Sequence, residues 1–142
     1  MIDVSEKKSV LRQATAKGCI RLKPESISMI LSGKVKKGDV LETAKIAAIM
    51  GSKNTPSLVP YCHSVPLESV NVEFTVGDET VECVVKVKAH NRTGVEMEAL
   101  TGVSAALLTI WDMVKYMEKD EKGQYPNTRI VDVRVLEKNK GE

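Results

Sequence analysis

Asp112 and Lys115 stand three residues apart, and a pair at that spacing meets on one surface of a helix. A carboxylate beside an ammonium is an exposed ion pair worth about 0–1 kcal/mol, or an acid–base couple if partial burial moves the lysine toward neutrality. Upstream in the same apolar-periodic stretch, Glu96 and Glu98 flank Met97 and crowd the expected first helical turn with carboxylates. A third group lies in LVPYCHSVPL, residues 58–67, where Pro60 and Pro66 bracket Tyr61, Cys62 and His63. Proline fixes φ and removes a donor, so this is a stiff non-helical connection of the kind on which sites are built. The fourth is Lys37, which precedes Gly38 and the start of a helix, where free amides and the helix dipole favour an anion. Lys34, Lys36 and Lys53 add positive charge around that helix; the bland reading is a solvated basic loop.

Cys62 beside His63 could bind a metal or support a nucleophile, or His63 could be a packed loop histidine. Adjacent side chains diverge and make a poor two-ligand clip, and no second paired ligand motif occurs, so no metal site is expected. His90 is expected to be exposed, with no acidic neighbour of interest.

The elements that must position these groups are readable from periodicity. Leu100, Val103, Leu107, Ile110, Val114 and Met117 recur at helical spacing, and Thr93 with Glu96 fits a capping box, so a helix is expected over 93–118. Pro24 opens an earlier helix that Gly33 stops, and Asp39 with Glu42 caps a second one rich in alanine. Residues 70–76 and 80–88 alternate cleanly and form a hairpin around a Gly-first turn, Gly77-Asp78. A short strand is expected over 17–22 and a closing strand over 129–136, with residues 1–15 and 137–142 mobile. Strand, helices, hairpin, long helix and strand give an α+β fold, a ferredoxin-like antiparallel sheet with helices packed on one face.

A chain of 142 residues is about one domain. Charged residues at 28% and apolar ones at 42% describe a globular protein, and a net charge of +2 argues against a nucleic-acid partner. Three cysteines without a CxxC fit reduced thiols and a cytoplasmic setting. No run of ~18 apolar residues suggests a membrane span, and MIDVSEKK does not read as a signal peptide.

Taken together, LVPYCHSVPL, the Lys37-Gly38-Asp39-Val40 step and TGVEMEALTGVSAALLTIWDMVK resemble the molybdenum cofactor biosynthesis protein C family, the cyclic pyranopterin monophosphate synthases. The resemblance runs from Ile2-Asp3-Val4-Ser5 to the last strand. It implies a lyase that converts 3′,8-cyclo-7,8-dihydro-GTP into cyclic pyranopterin monophosphate with release of diphosphate. It further implies a homohexamer, a trimer of dimers with active sites at the dimer interfaces. Matched position by position, Asp112, Lys115 and Lys37 would be catalytic. Tyr61, Cys62, His63, Glu96, Met97 and Glu98 would line the substrate site, and Arg12 and Lys53 would hold phosphates. No cofactor is implied beyond a magnesium ion that could accompany the triphosphate. Tyr61, Trp111, Arg92 and Gly102 depart from residues common in the family, and none of these changes removes a charged catalytic group.

Glu98 and Asp112 would lie about 21 Å apart on one continuous helix. A single small ligand does not readily touch both from one copy, which suits a site shared by two subunits. The competing readings are a non-catalytic anion-binding module, which would turn over no substrate, and a metal protein using Cys62, His63 and Cys83, which would carry zinc.

Overall fold

The computed structural model describes residues 1–141. The elements are β1 (Val10–Arg21), α1 (Pro24–Ser32), α2 (Val40–Lys53), α3 (Thr55–Leu58), β2 (Ser69–Val76), β3 (Thr80–Asn91), α4 (Glu96–Glu118) and β4 (Arg129–Lys140). The four strands form one antiparallel sheet in the order β2-β3-β1-β4. Such an order places the first and third strands at the centre, as in a ferredoxin-like α+β fold.

The central pair builds the floor of the core. Val81, Cys83, Val85, Val87 and Ala89 of β3 and Ala14, Ala16 and Ile20 of β1 are buried on one face. Against them lies α4, through Ala99, Val103, Ala106, Leu107, Ile110 and Val114. Small residues on β1 let the helix come close: a Cβ added at Gly18 would sit 2.8 Å from Val103 Cγ1 and 2.9 Å from Leu107 Cδ1. By length and composition α4 could cross a membrane, but its apolar stripe is the centre of this core.

Alongside α4 packs α2, and Gly102 is needed there. An added Cβ would meet Ser52 Oγ at 2.5 Å and the Ala48 carbonyl at 3.2 Å. Ser52 Oγ donates to the Glu98 carbonyl at 2.9 Å, which ties the two helices together.

Several expectations are corrected. The first strand starts at Val10 rather than Lys17, because β1 is central and bonded along both edges. The last strand continues past Leu136 to Lys140, paired with Arg12 to Thr15 of β1. Residues 10–15 and 137–140 are therefore strand where mobile segments were expected; residue 142 lies outside the described residues. Within β4, Asp132 takes φ 57° where the register with β1 shifts.

Helix α4 begins at Glu96, with Val95 at the cap position and no side-chain cap bond, so the Thr93–Glu96 box does not form. The hairpin turn is centred on Asp78-Glu79: Gly77 N–H donates to the Thr80 carbonyl at 2.8 Å, and Gly77 lacks the positive φ of a Gly-first turn. The Asp39 cap and the Gly33 stop are as expected. Asp39 Oδ1 accepts from Glu42 N–H at 3.1 Å, and Gly33 takes φ 69°.

Candidate active site

The chemistry-bearing residues fall at the two ends of α4. At its C-terminal end, Asp112 is held between two ammonium groups. Lys37 Nζ lies 3.1 Å from Oδ2 and donates to the Asp112 carbonyl at 2.9 Å, while Lys115 Nζ lies 3.1 Å from Oδ1. Lys37, followed by Lys115, holds the Asp112 carboxyl below the ordinary carboxylate range. The three groups are partly open to solvent, with the Lys115 side chain 41% exposed. The burial that an acid–base lysine calls for must therefore come from something covering this surface. Lys37 gets there by the loop after α1. Gly33 ends the helix in the left-handed region, Val35 is buried, and Gly38 at φ 116° turns the chain into α2.

At the N-terminal end of α4, the loop after α3 meets the first helical turn and residues 1–7. Between them is a cavity of about 560 Å³, lined among others by Ile2, Tyr61, Cys62, His63, Glu96 and Met97. His63 Nε2 lies 2.7 Å from the Ile2 carbonyl, so Nε2 carries a proton and donates. Glu98 sits behind the cavity wall and is 1% exposed. Its Oε2 accepts from the Cys62 thiol at 3.5 Å, and its Oε1 has no partner among the described residues. Burial raises the Glu98 pKa. Burial and then the neighbouring Glu98 push the Cys62 thiol up to about 11. Cys62 is thus held as a thiol, a donor rather than a nucleophile.

A second cavity of about 550 Å³ adjoins the first through Lys7 and is lined by Lys8, Arg12, Lys140 and Gly141 as well. Arg12 spends Nε and one terminal nitrogen on the Asn91 and Arg92 carbonyls, each at 3.3 Å. Lys53 is exposed at the last residue of α2 and lines neither cavity. Lys7, Lys8 and Lys140 are the cations that sequence reasoning missed. The clue lay in lysines near both ends of the chain, which meet only because Arg12 pairs with Lys140 across β1 and β4. The expectation for His90 is corrected: its Nδ1 lies 2.7 Å from Glu68 Oε2, because the β2–β3 register sets residue 68 beside the end of β3. No group of three or more His, Cys, Asp and Glu side chains that could hold a metal ion occurs among the described residues.

One copy therefore carries two separate clusters at the ends of one unbroken helix, a carboxylate between two lysines and a walled cavity with cations beside it, with Glu98 and Asp112 about 21 Å apart along that helix. The sequence model of the MoaC family matches residues 1–141. The chain belongs to the MoaC family. Among its relatives, a protein of Thermococcus kodakarensis named "Probable cyclic pyranopterin monophosphate synthase" is 59% identical over 142 residues, covering 100% of this chain and 91% of the relative. Proteins of the same name from Methanoregula boonei and Methanosarcina mazei are 55% and 53% identical over the whole chain, which covers 92% and 90% of their lengths. The matched residues include both clusters.

Proposed function

We propose that the chain is a cyclic pyranopterin monophosphate synthase, a lyase of molybdenum cofactor biosynthesis. Its substrate would be 3′,8-cyclo-7,8-dihydro-GTP and its products cyclic pyranopterin monophosphate and diphosphate. Family membership and the name its relatives carry support the reaction. The observation that carries the assignment of the chemistry is the bracketing of Asp112 by Lys37 and Lys115.

The ring rearrangement needs protons moved and the departing diphosphate needs a cation. Lys115 takes the proton-transfer role once its surface is covered, and Asp112 orients both lysines through its two oxygens. Lys37 neutralises the leaving diphosphate. At the other half-site Tyr61, Cys62, His63, Glu96, Met97 and Glu98 receive the pterin precursor. Glu98 is suited to a hydrogen-bonding role, since one of its buried oxygens is unpartnered. Arg12, with Lys7, Lys8 and Lys140 beside it and Lys53 at a distance, supplies positive charge for phosphates.

The spacing along α4 supports a site completed by a second copy, within the homohexamer the family resemblance implies, in the cytoplasm. The protein is assigned no resident metal; a magnesium ion at the site would travel on the substrate's triphosphate.

The deciding experiment supplies the cyclised dihydro-GTP to wild type and Asp112→Asn and measures pterin product and diphosphate together. Wild type turns over, and the variant, with its fold unchanged, is slower by roughly 10²–10⁴-fold. A folded wild type that releases neither product would overturn the proposal in favour of an anion-binding module.

A further inference from the structure

Lys37 reaches Asp112 from a loop that the Lys37–Asp112 pair alone cannot hold. The pair is solvent-exposed, and such pairs contribute little to stability. The loop is entered and left through two glycines in the positive-φ region, Gly33 and Gly38, which leave the backbone free to take other paths. Its internal bonds are local: Lys34 N–H donates to Met29 and Gly38 N–H to Val35. Two features fasten it to the rest of the fold. Val35 is buried, and the Lys36 N–H donates to the Tyr116 hydroxyl at 3.0 Å.

Tyr116 follows Lys115 and lies one helical turn beyond Asp112, so Asp112, Lys115 and Tyr116 share one patch of α4. The Lys36 ammonium also stands over the Tyr116 ring, 5.3 Å from its centre. The amide that Tyr116 accepts from is one residue before Lys37, so that bond sets where the Lys37 Cα lies and where its side chain starts. At the far end of α1, Glu118 of the same helix accepts from the Lys23 N–H at 3.0 Å and from the Ser26 hydroxyl. Helix α1 and its following loop are thus tied at both ends to the last turns of α4.

We infer that Tyr116 is a positioning residue of the active site: its hydroxyl fixes the 34–38 loop so that Lys37 is held on Asp112. The inference rests on the assignment of Lys37 and Asp112 to catalysis for its kinetic consequence, and on geometry alone for its structural one. Both consequences are measured separately. Tyr116→Phe removes the acceptor and keeps the ring. Lys36→Ala removes the cation over the ring and keeps the amide.

In Tyr116→Phe, with wild-type melting and assembly, the Asp112 carboxyl followed by carbon-13 NMR titrates closer to the ordinary carboxylate range, because Lys37 has loosened from it. Turnover falls by roughly 2- to 10-fold, the loss of one net hydrogen bond, and the loss is in kcat more than in KM. In Lys36→Ala the Asp112 titration stays where it is in wild type. An unmoved Asp112 titration in Tyr116→Phe, or an equal displacement in Lys36→Ala, would overturn the inference. If Asp112 moves as expected while wild type shows no turnover, the positioning stands and the proposed reaction fails.

Discussion

A mixture of two dead variants offers the sharpest test of a site divided between copies. Glu98 and Asp112 lie on one unbroken helix, separated by about 21 Å, so in the proposed shared site a single substrate would draw Glu98 from one protomer and Asp112 from its partner. Asp112→Asn and Glu98→Gln each disable every site when made alone. When the two are unfolded together in equal amounts and refolded, random pairing makes about half of all two-fold dimers mixed. Each mixed dimer has one site with both residues intact and one with both replaced. The expected recovery is therefore about a quarter of wild-type turnover, far above variants depressed roughly 10²–10⁴-fold. The assay is diphosphate release from the cyclised dihydro-GTP, read beside a wild-type sample taken through the same refolding. A mixture no more active than the average of its two components would refute the division.

Two further outcomes concern stability. Burial raises the Glu98 pKa above its unfolded value of about 4.3, so the native state keeps the proton longer, and stability is lost as pH rises through that window. Glu98→Gln removes that loss: relative to wild type it is more stable at pH 7 than at pH 4, and denaturant midpoints at the two pH values that differ equally for both proteins would contradict this. Gly102→Ala gains about 1 kcal/mol of helix propensity. It places a Cβ 2.5 Å from Ser52 Oγ, and overpacking at about 1–3 kcal/mol with loss of the Ser52 bond to Glu98 outweighs the gain. The variant melts lower than wild type, and a higher melting temperature would show that α2 can give way.

The hairpin strands, the Gly33 helix stop and the Asp39 helix start were legible because their signals are local. Val81, Cys83, Val85 and Val87 alternate with polar residues, and Asp39 caps the residues directly after it. The first half of β1 was hidden because its inward residues include Ala14 and Ala16, too small to register as an apolar period. Lys138 and Lys140 read as a solvated tail. They are strand only because β1 offers a free edge, which is a property of the fold rather than of those residues.

The site was partly legible for the same reason. Asp112 and Lys115 announce each other by spacing, whereas the contact of Lys37 with Asp112 spans 75 positions of sequence. Nothing in the residues around Lys36 pointed to the Tyr116 hydroxyl, and nothing near Lys7 pointed to Lys140.

An unbroken α4 also limits how this chain can change length over evolutionary time. One residue inserted between Glu98 and Asp112 would turn the far end of the helix by about 100° and advance it by about 1.5 Å. Asp112, Lys115 and Tyr116 would swing off the 34–38 loop together, and the apolar stripe beyond the insertion would leave the sheet. Insertions and deletions would be tolerated best in places that carry no such phase, the Asp78-Glu79 turn and the 119–128 connection. The helix acts as a fixed gauge, and the loops absorb the chain's variation in length.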